Sequence, residues 1–305
     1  MTAAKEDATV WTVARLLSWT QGFLREHQVE SPRLCAEILL AHALRCERLR
    51  LYTAHEDVPD EAARTTFREL VRAAAAGRPI AYLTGTKEFF SLTFEVSPDV
   101  LIPRPETEIL VERTISLVRR GGVDEPTILD LGTGSGCVAI GLAKHLPTAR
   151  VLASDISPAA LEVAQRNAAR HGLTDRIEFR GGDLFAPWQT HDTEPPLLDI
   201  IVCNPPYIAA DSSEVEPSVR NFEPHTALFA GTDGLDVIRR LVTEAPHWLR
   251  GDGHLLMEMG YDQAAAVRAL LDQSLWHKVT AYRDAAGHER VLHAQRAPRE
   301  HTQVA

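Results

Sequence analysis

The segment Asn204-Pro205-Pro206-Tyr207 has the residue types of a site that holds a planar NH2 group. It directly follows the apolar run 198–203, so we expect it at the carboxyl end of a buried strand, where α/β sheets bind ligands. Two prolines fix two φ angles and remove two backbone N–H donors, but their carbonyl oxygens remain. The Asn204 side-chain oxygen and the Pro205 carbonyl oxygen can together accept both hydrogens of one NH2 group, and Tyr207 can stack on the flat group that carries it.

Such a platform favours alkylation of a nitrogen that is otherwise a poor nucleophile. The lone pair of an amide or an aromatic amine is delocalised, and holding both N–H bonds directs it toward an incoming electrophile. Orientation and electrostatic stabilisation can together lower the barrier by several kcal/mol. No strong general base is needed, because the proton becomes acidic only after the nitrogen has attacked.

A glycine-rich loop upstream predicts a nucleotide-like cofactor. Asp130 precedes the loop 132–136 (GTGSG), which joins a predicted strand to a predicted helix. Glycines there let the backbone turn tightly and approach a ligand. Glycine spacing alone leaves a nicotinamide cofactor open, since Gly134, Gly136 and Ala139 form a permissible variant of that pattern. The acid two residues before Gly132 instead resembles the D-x-G-x-G-x-G loop of S-adenosylmethionine-dependent methyltransferases, whose cofactor carries a sulfonium and an ammonium group that favour nearby acids.

Further residues at strand ends are expected along this cofactor. Asp155 ends the next predicted strand, where a carboxylate can accept hydrogen bonds from ribose hydroxyls. Asp183 ends the third strand, and in the methyltransferase interpretation it lies beside the adenine, with Leu184 as an apolar contact to the ring. The residues predicted to bind S-adenosylmethionine, and its product S-adenosylhomocysteine, are Gly132, Thr133, Gly134, Ser135, Gly136, Asp155, Asp183 and Leu184.

The elements that must position these residues follow an α/β pattern from residue 127 onward. Short apolar runs alternate with helical periodicity, which predicts a mostly parallel sheet covered by helices on both faces. Two runs close together near the end of the chain predict a late antiparallel hairpin. The predicted strands cover 128–131, 151–155, 177–183, 198–203, 254–259, 278–283 and 290–295.

The first part of the chain has a different pattern. Residues 10–77 are almost entirely helical in periodicity, and Ser31-Pro32 predicts a capped start of the second helix. Aromatic and β-branched residues that alternate around Gly85 predict a short hairpin or an extended linker. We therefore expect an N-terminal helical bundle over 1–79, a β-hairpin linker over 80–105 and a Rossmann-like catalytic domain over 106–305.

Composition excludes several classes of protein. The 305 residues include 32 Lys+Arg and 42 Asp+Glu, for a net charge of -10. Residues 1–85 hold 11 of each sign, so the whole excess of acid lies in 86–305 and disfavours a phosphate-coated substrate there. No run approaches 18 apolar residues, and the opening residues lack the pattern of a secretory signal, so a cytoplasmic protein with no membrane contact is expected. Scattered cysteines and histidines predict no metal site.

The chain closely resembles the PrmC/HemK family of release factor glutamine methyltransferases along nearly its whole length. The most specific similarity lies in 77–85 (GRPIAYLTG) and 101–108 (LIPRPETE). Further similar pieces follow the NPPY tetrapeptide, at 222–224 (FEP) and 284–290. The resemblance implies a helical bundle, a β-hairpin linker and a class I methyltransferase domain.

The same resemblance implies an activity, a partner and roles for individual residues. Enzymes of this family methylate the glutamine side-chain amide in the GGQ motif of class 1 peptide chain release factors, which act in translation termination. By resemblance, S-adenosylmethionine is bound by Gly132 to Gly136, Asp155, the position of Leu184 and Asn204, and the glutamine side chain is held by 204–207. The family often has an aromatic residue where this chain has Leu184, so stacking on the adenine is expected to be weaker. The helical bundle is expected to bind the release factor.

Two other functions remain open on sequence alone. An adenine-specific DNA or RNA methyltransferase would use the same platform on an exocyclic amine, but the acidic charge and the lack of room for a basic target-recognition domain disfavour it. A NAD-dependent oxidoreductase would use the glycine loop, but it leaves the NPPY tetrapeptide unexplained. The roles of Arg104 and Glu106, between prolines of the linker, are not determined by the pattern.

Overall fold

A computed structural model describes residues 10–189 and 197–298. The chain divides into two compact units, which are described separately. The first comprises the chain as far as Gly85 together with Glu216–Phe222, and the second comprises Thr86–Val215 and the chain from Glu223 onward. Among the described residues, no helix combines the length and the apolar content that crossing a membrane requires.

The first unit is helical. Its helices are α1 Val13–Glu26, α2 Pro32–Ala43, α3 Arg48–Thr53, α4 Glu61–Ala75, α5 Ile80–Thr84 and α9 Pro217–Phe222. Leu24, Leu39 and Phe67 are fully or almost fully buried in its core, and burial of each such side chain contributes about 1.5–3 kcal/mol.

Side chains cap the first turn of two helices in this unit. Thr12 accepts a hydrogen bond from the Arg15 N–H at the start of α1, and Asp60 accepts one from the Ala63 N–H at the start of α4. The capped start expected at Ser31 is wrong in detail. Ser31 has a left-handed backbone with φ of 47° and makes no side-chain cap, so α2 begins on the proline alone.

The hairpin begins after Gly85 rather than around it. Residues 80–84 form the short helix α5, and Gly85, with φ of 71°, ends it. Strands β1 Thr86–Phe89 and β2 Leu92–Glu95 then pair antiparallel. The aromatic and β-branched residues before Gly85 suggested extended backbone, but Tyr82 is buried within a helical turn instead, so tertiary packing overrides the local preference.

The second unit is a seven-stranded sheet with helices on both faces. Its strands are β3 Thr127–Leu131, β4 Arg150–Asp155, β5 Ile177–Gly181, β6 Leu198–Cys203, β7 Leu249–Glu258, β8 Trp276–Arg283 and β9 Glu289–Arg296. They lie in the order β5-β4-β3-β6-β7-β9-β8, and the first five are parallel, whereas β9 pairs antiparallel with both β7 and β8. This confirms the predicted mostly parallel sheet with a late antiparallel hairpin.

Two separate apolar cores fill the space between the sheet and its helices. The helices of this unit are α6 Glu108–Gly121, α7 Cys137–His145, α8 Pro158–Arg170, α10 Asp236–Trp248 and α11 Ala264–Leu270. One core joins α10 and α11 to the sheet, and the other joins the hairpin, α6 and α7 to it. Because buried helices clamp both faces, the carboxyl ends of the parallel strands form a rigid edge on which loops can be placed accurately.

Candidate active site

A cavity of about 380 Å³ lies at the carboxyl ends of the parallel strands in the second unit. Strands β3 and β6 are neighbours in the sheet, but the chain winds outward from β3 through β4 and β5 on one side and from β6 through β7 on the other. Such a switch of direction leaves a crevice between the loops that follow the two central strands. The glycine loop 132–136 follows β3 and the segment 204–207 follows β6, so the topology brings the two sequence motifs together.

The glycine loop depends on backbone conformations that favour glycine. Gly132, Gly134 and Gly136 have φ angles of 70°, 55° and 81°. A Cβ atom on Gly136 would lie 3.0 Å from the Ile140 side chain and 3.2 Å from that of Ala164, so both neighbours would have to shift to admit it. A Cβ atom on Gly132 would lie 3.9 Å from the carbonyl oxygen of Asn204, which shows how closely the two loops approach. Gly132 to Ser135 line the cavity, whereas Gly136 supports the loop from behind.

Two carboxylates hold this loop. Asp130 accepts hydrogen bonds from the Thr133 hydroxyl at 2.7 Å and from the Ala139 N–H at 3.1 Å. Asp155 accepts one from the Gly134 N–H at 2.8 Å and one from the Ser157 N–H at 2.9 Å. Burial raises the pKa of Asp130 to about 7 and also raises that of Asp155. Both acids line the cavity, so its wall penalises negative charge and is complementary to a cation.

Asp183 and Leu184, for which the sequence analysis predicts contacts to the adenine, line the same cavity. The Asp183 carboxylate is paired with both terminal nitrogens of Arg240 on α10, at 3.2 and 2.9 Å. Leu184 has a left-handed backbone with φ of 45° and packs against the core with a partly buried side chain. Arg240 was not among the residues expected from sequence, because nothing in the pattern of α10 connects it to the end of β5.

The four residues of the NPPY tetrapeptide occupy different positions. Among the described residues, those lining the cavity include Asn204 and Pro206 but neither Pro205 nor Tyr207. Pro205 is buried, and the Tyr207 ring packs against the core of the sheet. The Tyr207 carbonyl oxygen accepts a hydrogen bond from the Gln263 side chain at 2.9 Å, which fixes the end of the segment.

A buried polar network stands behind Asn204. The Asn204 amide nitrogen donates to the Thr107 hydroxyl at 3.1 Å, and the Thr107 hydroxyl donates to Glu258 at 2.6 Å. The Tyr207 hydroxyl donates to the other oxygen of Glu258 at 3.0 Å. Burial raises the pKa of Glu258 and that of Tyr207. Sequence reasoning missed Thr107 and Glu258, although one acid inside the apolar run of β7 was a visible signal.

The linker supplies another wall of the cavity. Arg104 lines it and donates to Glu223, which is buried and also accepts a hydrogen bond from the Ile102 N–H at 3.1 Å. A buried carboxylate requires such partners. Arg104 therefore ties the segment before α6 to the segment after α9, where Pro224 also lines the cavity. Within the described ranges, no group of His, Cys, Asp and Glu side chains could hold a metal ion.

Models of two protein families match the chain. Residues 15–85 match the PrmC N-terminal domain, and residues 107–222 match the methyltransferase small domain. The second match begins at Thr107 and contains the glycine loop, both of its supporting acids and the NPPY tetrapeptide.

Curated relatives match the chain along most of its length. The release factor glutamine methyltransferase of Rhodopirellula baltica is 43% identical over 299 residues, which cover 97% of this chain and 100% of that protein. The protein of the same name from Burkholderia pseudomallei is 45% identical over 259 residues, covering 84% and 90%.

A solved structure shows the same fold at lower similarity. The hMettl16 catalytic domain has a TM-score of 0.53 and 20% sequence identity, and the match covers 75% of this chain and 82% of that chain. This likeness confirms the Rossmann-like methyltransferase fold. With both family models and the full-length relatives in agreement, the chain belongs to the family of release factor glutamine methyltransferases.

Proposed function

We propose that the protein transfers a methyl group from S-adenosylmethionine to the side-chain amide nitrogen of the glutamine in the GGQ motif of class 1 release factors. One observation carries this proposal. Asn204 and Pro206 line the same cavity as the glycine loop and Asp155, so a planar amide held at Asn204 would face a ligand held by the loop and Asp155. The relatives named for this reaction support the choice of substrate.

The residues of the cavity fit S-adenosylmethionine. That cofactor would supply an electrophilic methyl group. Asp155 uses one lone pair on each oxygen for backbone N–H groups, which leaves acceptor capacity for two ribose hydroxyls. Asp183 and Leu184 would contact the adenine, and the acidic wall at Asp130 favours the cationic end of the molecule.

On the other side, the amide of the substrate would be held by acceptors only. The oxygen of Asn204, which lines the cavity, would accept one of its hydrogens, and a carbonyl oxygen of the two prolines that follow would accept the other, while Tyr207, packed behind them, would support the segment. Positive charge that builds on the amide nitrogen during attack would then be stabilised by oriented oxygen atoms. The proton is lost after transfer, so none of these residues has to act as a strong base.

The helical unit is the proposed docking site for the body of the release factor. Between α1 and α4 it has an aromatic groove in which Trp19 stacks on Phe23 with 5.0 Å between ring centroids, and Trp19 is 51% exposed. Three arginines at helical spacing on α4 line the same groove: Arg64, Arg68 and Arg72. Exposed aromatic and arginine side chains are typical of protein-binding surfaces. In this proposal residues 1–79 bind the partner, 80–105 link and 106–305 catalyse.

The decisive experiment compares three substrates. The purified protein is incubated with labelled S-adenosylmethionine and a class 1 release factor, with the same factor carrying a changed GGQ glutamine, or with duplex DNA. We expect label on the unchanged factor alone, in keeping with a cytoplasmic enzyme that needs neither membrane nor nucleic acid. Label on DNA, or equal label on both factors, would overturn the proposal.

A further inference from the structure

Glu258 is a carboxylate in a place that ordinarily excludes charge. It ends β7, directly after Leu255, Leu256 and Met257, and it is only 1% exposed. Burying a carboxylate is costly unless hydrogen bonds compensate for the lost water. Packing alone therefore does not explain why a buried carboxylate is found beside this cavity.

The partners of Glu258 are two hydroxyl groups, one on each oxygen. The Thr107 hydroxyl lies 2.6 Å from Oε2, and the Tyr207 hydroxyl lies 3.0 Å from Oε1. In its ionised form Glu258 can only accept hydrogen bonds, so both hydroxyls donate to it, and these two bonds offset part of the desolvation that raises its pKa. Charge-assisted bonds of this kind are among the strongest in proteins and fix the direction of both hydroxyl hydrogens.

This choice of direction determines how the Asn204 amide is turned. A threonine hydroxyl has one hydrogen, and Thr107 has committed it to Glu258. Toward Asn204, 3.1 Å away, Thr107 can only accept, so it must face the amide NH2 and not the amide oxygen. The oxygen of Asn204 is therefore left for the cavity, as a platform for a substrate NH2 group requires.

We propose that Glu258 is a positioning residue that, through Thr107, holds the Asn204 side chain with its oxygen toward the substrate amide. Glu258 itself does not line the cavity in the described part of the chain, whereas Thr107 and Asn204 do. The inference rests on the proposed function, because it explains how an acceptor-only platform is kept from flipping. If the Asn204 amide were flipped, its NH2 group would face the NH2 group of the substrate, and two donors cannot form a hydrogen bond with each other. The substrate would then be rejected.

Thr107 offers a matched pair of variants. T107V keeps the shape of the side chain but removes the hydroxyl, so the Asn204 amide loses its orienting acceptor. We expect kcat for release factor methylation to fall on the order of 10²-fold, as misplaced catalytic groups do, with an unchanged Kd for S-adenosylmethionine. T107S retains the hydroxyl and should restore most of the lost turnover. Thermal unfolding of each variant is measured to check that the fold is intact.

Glu258 is tested by coupling to Thr107. E258Q can no longer receive both hydroxyl hydrogens, so kcat should fall, while the exposed E162Q on α8 should behave as wild type. In the T107V variant, adding E258Q should lower kcat by a smaller factor than it does in the wild type. The reason is that T107V has already broken the hydrogen-bond connection from Glu258 through Thr107 to Asn204.

Each outcome decides the matter. Wild-type turnover by T107V, or a full multiplicative loss in the double variant, would overturn the positioning role. Absence of methylation by the wild-type protein would instead overturn the proposed function.

Discussion

The glycine loop and the Asn204 segment line one cavity, but the loop is held largely through its backbone N–H groups, whereas Asn204 is held through its side chain. Asp155 reaches the loop through the Gly134 N–H, and Gly132 bonds to the Ser154 carbonyl oxygen at 2.9 Å. Asn204, in contrast, is held through the Thr107 hydroxyl, which in turn depends on Glu258. The two sides should therefore respond differently to substitution.

This difference follows from the chemistry that each side has to support. A cofactor presents many groups along its length, so several backbone donors and two or three acids can share its binding energy. One amide nitrogen presents two hydrogens and a plane, and its reactivity depends on the direction of a few acceptor atoms. We expect changes on the cofactor side to alter affinity and changes on the amide side to alter turnover.

The largest effect is expected for N204A, on the amide side. Removal of the side-chain oxygen should lower methyl transfer by about 10²–10³-fold, the range seen when a preorganised hydrogen-bonding partner of the transition state is deleted. Binding of S-adenosylmethionine should largely survive, because most of its predicted contacts lie elsewhere. Transfer is measured with labelled cofactor and binding by calorimetry.

An exposed amide supplies the control for that variant. Gln273 lies on the surface of the second unit, and Q273A should leave both transfer and binding unchanged. Near-normal turnover of N204A would refute the role given to the platform. Parallel loss of cofactor binding would erase the distinction between the two sides.

A smaller effect is expected for D155A, on the cofactor side, and it should change the affinity for S-adenosylmethionine rather than the turnover. Hydrogen bonds to a charged group contribute about 1.5–3 kcal/mol each, so the Kd for S-adenosylmethionine should rise about 10- to 100-fold. At saturating cofactor, kcat should be largely retained. The exposed D175A removes an equal charge from the same unit and serves as the control. A fall in kcat without a change in Kd would contradict the comparison.

Sequence patterns predicted most of the fold, because the central parallel strands β3, β4 and β6 are short and mostly buried. All six residues of β6 are buried, for example, and a run of this kind has few alternatives. The hairpin was misplaced because Gly85 permits either a turn or a helix end, and only packing decides between them. Strand β7 begins at Leu249 rather than 254, because Leu249 pairs with Leu198 of β6 before a shift of register, after which the pairing resumes at His254.

The site was predictable where its residues are contiguous. The glycine loop and the NPPY tetrapeptide can each be recognised from a few consecutive residues. The parallel topology then brings the two motifs together. Thr107 and Glu258 are separated by 151 residues, so no local pattern connects them. What the sequence does show is a single acid within the apolar run 255–259, and such a residue should be examined for buried partners.

The smallest effect is expected for Asp130, which supports the glycine loop, and it concerns how the free energy of unfolding depends on pH. The pKa of Asp130 is about 7 in the folded protein and 3.8 ordinarily, so the folded state holds this proton more tightly than the unfolded state. Its stabilising contribution is complete below the ordinary pKa and is lost as pH rises through about 7. Between pH 6 and pH 8 the loss amounts to about 1 kcal/mol.

D130N cannot titrate, so it isolates this contribution. The free energy of unfolding is measured by denaturant titration of wild type and variant without cofactor at pH 6 and pH 8. We expect wild type to lose stability relative to D130N over this interval, whatever the absolute stability of the variant. Equal pH dependence would mean that Asp130 remains ionised throughout. In that case, the Thr133 and Ala139 hydrogen bonds outweigh burial, and the loop would be held by charge as strongly as Asn204 is held by Thr107 and Glu258.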